Sequence, residues 1–167
     1  MSCFLGVHTF TAKQAVEGDI GWESFIVKQR VEMVRLWNCV MQLPEERLTK
    51  KIFNWDRAHN YPWSREVAAI FSLSDLNFIF RNNLQCNINK VAQKLLKIYK
   101  EQWKEDIYKK PKLRNYIQMK DDYYTEPYIK LNLQRRQRSL YAQLRTGTIP
   151  LAIEVGRYKG TPGEECS

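Results

Sequence analysis

The sequence predicts an all-α protein: two long amphipathic helices and several short ones around an aromatic-rich core. Three observations lead there. Apolar residues recur at three- and four-residue spacing through much of the 167-residue chain. Seven Gly and six Pro are few for an all-β protein of this size. Apolar residues make up 44% and aromatics 13%, which supplies a real core and excludes a disordered chain.

The elements follow in order. Cys3–Val7 is a short apolar segment, and Thr11 can cap a brief turn through Val16. Gly18 and Gly21 punctuate before the first long helix, expected from about Glu23 to Gln42. Phe25, Ile26, Met33, Leu36, Trp37, Val40 and Met41 form its apolar side, and Pro44 closes it. Leu48, Ile52 and Trp55 repeat at helical spacing until Asn60-Tyr61-Pro62 breaks the pattern. Ser64 starts a helix carrying Val67, Ile70 and Phe71; Ser74-Asp75 starts another with Leu76, Ile79 and Phe80, ended by Asn82-Asn83. These short helices read as packing units.

Asn87 or Asn89 caps the second long helix, about Ile88–Tyr108, whose buried stripe is Ile88, Val91, Leu95, Ile98 and Tyr99. Lys90, Lys94, Lys97, Lys100 and Lys104 lie broadly on its other side. A basic connection, Lys109-Lys110-Pro111-Lys112, leads to a short helix over Leu113–Met119 and an acidic, tyrosine-rich linker.

The stretch Glu126–Arg157 carries the strongest pattern. On a helix, Ile129, Leu133, Leu140 and Leu144 share one narrow stripe, Arg135, Arg138 and Arg145 fall opposite, and Arg136 lies beside it. Gly147 and Pro150 mark the stop. A short extended arm is expected near 149–155 and a disordered tail over 161–167.

Charge divides the chain unevenly. Of a net +9, residues 1–86 hold ten basic against nine acidic side chains, and residues 87–167 hold seventeen against nine. The expected organisation is therefore a near-neutral helical subdomain over 1–86 and a basic one over 87–160. A one-sided basic balance favours a polyanionic partner. No window approaches the roughly 18 apolar residues of a membrane span, and the N-terminus lacks the basic start of a signal peptide. The cysteines Cys3, Cys39, Cys86 and Cys166 are scattered, with no C-x-x-C pair. That argues against a disulfide scaffold and for a reducing intracellular compartment, cytoplasmic or nuclear.

Catalytic patterns are weak. Asp121-Asp122 could hold a divalent metal, but the pair sits in a polar linker with no strand before it. His8 and His59 have no ligand set on a clear helix face, and no glycine-rich phosphate loop occurs. No cofactor is expected. The basic and aromatic combination is better supported. Tyr123, Tyr124, Tyr128, Tyr141 and Tyr158 interleave with Lys130, Arg135, Arg136, Arg138, Arg145, Arg157 and Lys159. Cations meet phosphates while rings stack on unpaired bases. Lys97, Lys100 and Lys104 would extend the same surface. The competing reading is a solvated polar face with half-buried tyrosines.

Particular blocks also resemble a known family. FLGVHTF and AVEGDIGW (within Phe4–Trp22), RLWN (Arg35–Asn38), RLTKKIFNWD (Arg47–Asp56), PKLRNY (Pro111–Tyr116) and EPY with RSLYAQLRTGTIPLAIEVGRY (Glu126–Tyr158) resemble the carboxy-terminal part of reverse transcriptases from animal non-LTR (LINE-type) retrotransposons. The resemblance implies a region after the fingers and palm, starting in thumb-like helices that grip a template–primer duplex by its backbone. It implies RNA or RNA–DNA duplex and the remainder of a reverse transcriptase polyprotein as partners. The palm's Tyr/Phe-x-Asp-Asp motif is absent, and Lys120-Asp121-Asp122 does not replace it. Cys166 falls where the first ligand of a following cysteine/histidine knuckle would stand. The expectation is a non-catalytic, nucleic-acid-binding fragment of an RNA-directed DNA polymerase. The alternatives are a helical protein-interaction module, with a bare apolar groove near Trp37, Trp55 or Trp63, and an orphan fragment without activity of its own.

Overall fold

A computed structural model describes residues 11–149 together with Leu5 and Val7. The fold is all-α. Its described elements are α1 (Lys13–Ile20), α2 (Phe25–Met41), α3 (Leu48–Ala58), α4 (Pro62–Leu73), α5 (Asn77–Arg81), α6 (Ile88–Tyr108), a 3-10 turn (Pro111–Leu113), α7 (Arg114–Met119), α8 (Pro127–Lys130) and α9 (Arg135–Thr146), with no strand among the described residues. The expected arm and tail, with Arg157, Tyr158, Lys159 and Cys166, lie outside the described residues except for Ile149.

The chain forms two compact units: a central one over Glu23–Gln102, and a terminal one that joins residues up to Trp22 with those from Trp103 onward. The boundary expected near residue 86 is therefore corrected. Local periodicity carries no record of which distant segments meet, and here α1 joins elements about ninety residues or more away.

In the central unit, the Ser24 hydroxyl caps α2 by accepting the Ile26 N–H at 3.3 Å. The buried seam of α2 is Val27, Val31, Val34, Trp37 and Val40. Phe25, Ile26 and Leu36, expected inside, face solvent. The valines at i, i+4 and i+7 set the phase because they lead into Trp37, on which the core is built. Phe53 and Phe71 meet the Trp37 ring edge-on with centroids 5.4 Å away, and Phe80 stacks on it at 5.2 Å. Its buried indole N–H donates to the Leu84 carbonyl at 2.9 Å. Asn38 closes a reciprocal pair with the Cys86 backbone, donating to its carbonyl at 2.8 Å and accepting its N–H at 3.0 Å.

Two lysines hold helix ends in this unit. The Lys50 ammonium is buried and donates to the Val40 carbonyl in the last turn of α2 at 3.3 Å. The Lys94 ammonium donates to the Ser74 carbonyl at 2.6 Å, just past α4. Each places a cation at the negative end of a helix, where terminal carbonyls lack intrahelical donors.

In the terminal unit, α1 is held by side chains from far along the chain. The Trp103 indole N–H donates to the Gln14 carbonyl at 2.8 Å, and the Tyr116 hydroxyl donates to the Ala15 carbonyl at 3.0 Å. The Tyr123 hydroxyl donates to the Trp22 carbonyl at 2.7 Å. Gly21 ends α1 at φ +61°, and a Cβ there would lie 2.2 Å from the Thr125 nitrogen. Both the left-handed turn and the close backbone approach require glycine. Leu5, Val7, Val16, Ile20, Tyr128 and Ala142 form the apolar cluster of this unit.

Among the described residues no helix is long and apolar enough to cross a membrane. None of their His, Cys, Asp and Glu side chains gather in a group that could hold a metal ion.

A candidate nucleic-acid interface

The arginine helix is shorter than its pattern suggests, and it is rotated. After α8 the chain leaves helical geometry at Leu131 (φ −71°, ψ 145°), and α9 restarts only at Arg135. The break resets the helical phase, so Ile129 and Leu133 do not share a stripe with Leu140 and Leu144. Gln134 opens α9 through a reciprocal capping box with Gln137. Gln is an unusual residue at that position, which is why the start was not legible. Ala142 and Thr146 are buried, whereas Leu140 and Leu144 are 50% and 62% exposed. The stripe expected inside thus faces solvent over these two leucines.

Arg145 is the first correction among the proposed contacts. Its guanidinium turns inward and meets the fully buried Asp19 carboxylate, with Nε 3.2 Å from Oδ2 and Nη2 3.2 Å from Oδ1. Nη2 also lies 3.1 Å from Glu126 Oε1. Glu126 in turn accepts from the Lys120 ammonium at 2.6 Å, and that ammonium donates to the Tyr124 carbonyl at 2.6 Å. Asp19 further accepts the Tyr116 hydroxyl at 3.0 Å and the Tyr128 hydroxyl at 2.7 Å. The cluster balances two carboxylates against two cations, as burial demands.

Electrostatics follow from that enclosure. Burial pushes the Tyr116 and Tyr128 hydroxyls far up, and the Asp19 carboxylate pushes them further. Burial lowers the Lys120 amine, and Glu126 only partly restores it. Burial would lower Arg145 too, but the carboxylates of Asp19 and Glu126 outweigh it and hold the guanidinium protonated. This is structural chemistry, closed to an outside phosphate.

Arg138 is the second correction. It is half-buried, and its Nη2 donates to the Leu133 carbonyl at 3.3 Å, back across the start of its own helix. Arg135 and Arg136 behave differently. Both are exposed in the first turn of α9 and line an open surface recess with Ser139, Leu140 and Gln143. Arg145 of this helix is ion-paired with both Asp19 and Glu126.

The lysines divide as well. Lys104 and Lys130 are exposed; Lys97 is exposed with its ammonium 3.9 Å from Glu101; Lys100 is half-buried. Of the tyrosines, Tyr123 and Tyr128 are core residues, whereas Tyr124 and Tyr141 present exposed rings. Tyr124 has the Lys120 ammonium 3.4 Å from its ring centroid, and Tyr141 stacks on Tyr128 at 5.8 Å. Among the described residues, neither Asp121 nor Asp122 belongs to a group of acidic, His or Cys side chains that could hold a metal.

The residue missed in the sequence is Asp19. An acidic residue in the short AVEGDIGW segment gave no sign of charge pairing, because its partners are 97 to 126 positions away. Compared with family models, with curated proteins and with solved structures, the chain matches none. The functional reading therefore rests on the residues themselves.

Proposed function

We propose that the chain is a non-catalytic nucleic-acid-binding region, related to the part of a non-LTR retrotransposon reverse transcriptase that follows the palm, and that it contacts the backbone of RNA or an RNA–DNA duplex. The observation that carries this reading is the Arg135–Arg136 pair, exposed at the start of α9 beside an open recess. Cations at a helix N-terminus oppose the helix macrodipole, so the helix's own electrostatics disfavour two of them there. A phosphate would be attracted by both the guanidinium forks and the positive helix end. Ser139 and Gln143 line the same recess with polar side chains. The seventeen basic side chains of residues 87–167 support the polyanionic class of partner. In this reading Arg135, Arg136 and Lys130 carry the contact, and Arg138 and Arg145 support the fold. The partners within a longer polyprotein belong to the same proposal.

The test is a salt titration of binding to a labelled RNA–DNA duplex. Arg135→Ala with Arg136→Ala should weaken binding to all sequences alike and flatten the log K against log salt slope by about 0.9 per lost contact. An unchanged slope in a folded double variant would remove α9 from the interface.

A further inference from the structure

Beyond its first turn, the exposed side of α9 is apolar and aromatic. Leu140 and Leu144 face solvent, and Tyr141, next to Leu140 in sequence, is 54% exposed. Arg136, Leu140 and Leu144 follow at i, i+4 and i+8, one row over about 12 Å of helix axis that runs from a cation into the apolar patch. Leu140 also lines the recess of Arg135 and Arg136, so the charged and apolar parts are continuous.

Tyr141 differs from the other tyrosines of the terminal unit. Tyr123 and Tyr128 are buried, and Tyr124 already carries the Lys120 ammonium over its ring. The Tyr141 ring instead stacks on Tyr128, with 19° between the two planes. Tyr128 is fixed in turn by its hydroxyl, which donates to Asp19 Oδ2 at 2.7 Å. An anchored ring thus backs Tyr141, while more than half of the Tyr141 side chain stays open to solvent. A planar group held in place before its ligand arrives loses little freedom on binding.

Charge narrows the class of ligand. Residues 127–149 contain Lys130 and four arginines, and neither Asp nor Glu. The row on α3 is different: Leu48, Ile52 and Trp55 are exposed too, but Glu45, Glu46 and Asp56 stand among Arg47, Lys50 and Lys51 around them in sequence, so charge selects nothing there. A second copy laid on α9 would set cation against cation. With a nucleic acid as the polyanion, the apolar patch decides between its two forms. A duplex keeps its base faces stacked inside and would cover Leu140, Tyr141 and Leu144 with phosphate and sugar. An unpaired strand brings base faces to the ring and the leucines, and phosphates to the guanidinium forks. Given the nucleic-acid reading of α9, on which this inference rests, we propose that the helix takes an unpaired segment of RNA or DNA, with Arg135 and Arg136 on its phosphates and a base stacked on Tyr141.

The test measures anisotropy of a labelled oligouridine, and of a fully paired RNA–DNA hybrid of the same length, against the full chain. Tyr141→Ala should weaken the oligouridine at least about fivefold, change the hybrid less than about twofold, and leave both salt slopes as in the parent. Tyr141→Phe, which keeps the ring, should bind as the parent does. A 2-aminopurine placed within the strand should be quenched by the parent chain and not by Tyr141→Ala of unchanged circular dichroism spectrum. Arg135→Ala with Arg136→Ala should flatten the slope for both ligands. If that flattening is seen while Tyr141→Ala holds the oligouridine as tightly as the parent, or loses both ligands equally, the unpaired-strand assignment is overturned and the nucleic-acid reading stands. If the arginine variant flattens neither slope, both fall. Binding to phosphatidylserine vesicles that displaces the oligouridine, and is lost in Leu140→Gln with Leu144→Gln, would overturn the assignment in favour of a lipid surface.

Discussion

Arg145 and Asp19 lie 126 positions apart in sequence and meet side-on in the interior, two guanidinium nitrogens each 3.2 Å from a carboxylate oxygen. The pair converts the most conspicuous basic residue of the last helix from a surface cation into an internal tie. Tyr116 and Tyr128 complete the Asp19 shell with hydroxyl donors, and Lys120 completes that of Glu126.

Breaking this tie on one side leaves a buried charge without a partner. Asp19→Ala and Arg145→Ala should each destabilise the chain by roughly 3–5 kcal/mol, read as the shift in urea unfolding midpoint at constant slope. Arg145→Lys should also lose stability, since an ammonium cannot reproduce the two-pronged contact. A loss within about 0.5 kcal/mol for Asp19→Ala would contradict the enclosed cluster.

The same cluster sets an alkaline limit. An unfolded tyrosine loses its proton near pH 10, while the folded Tyr116 and Tyr128 hold theirs far above it. Above that pH the folded state binds more protons than the unfolded one. Stability is fully present below pH 10 and falls beyond it, by up to about 1.4 kcal/mol per pH unit per tyrosine. Lys120 works the other way, because burial places its amine below its ordinary 10.5, so its cost is relieved as pH rises to that value. Above roughly pH 11 the tyrosines act alone. Urea midpoints should decline between pH 10 and 12 in the parent chain and decline less in Tyr116→Phe with Tyr128→Phe, which starts from lower stability.

The rotation of α9 predicts an unusual tolerance. Were Leu140 and Leu144 packed inside, replacing either by Gln would cost several kcal/mol, as for other buried leucines. Both face solvent, so Leu140→Gln and Leu144→Gln should each change stability by about 0.5 kcal/mol or less. Ala142→Gln, on the buried face of the same helix, should destabilise strongly by overpacking. Thermal melts of the three variants separate the two orientations.

Legibility varied by element for identifiable reasons. The Ile88–Tyr108 helix stands with its expected bounds, because its apolar spacing runs unbroken and an Asn precedes it. Helix α2 starts within two residues of its expected start, and Trp37 and Val40 lie in its buried seam as expected, whereas Phe25, Ile26 and Leu36 are exposed because the smaller valines set the phase. For α3, the Leu48–Ile52–Trp55 row named the opposite face from the buried one. A side chain such as Lys50 goes inside only where a carbonyl waits for its ammonium, and that carbonyl belongs to another helix. For α9, the unseen break at 131–134 carried the wrong phase across from α8.

Composition and periodicity alone determined that this chain is helical, strongly basic in its second half and rich in aromatic core residues, since each follows from residue type and from neighbours three or four positions away. Tertiary structure decided which arginines are available to a partner. A guanidinium reads the same in sequence whether it meets water or a carboxylate, and only the approach of Asp19 and Glu126 from distant segments selected Arg145 for the interior while Arg135 and Arg136 stayed outside. Coulomb attraction in a dry interior acts between groups that are close in space, and closeness in space is a property of the packed chain.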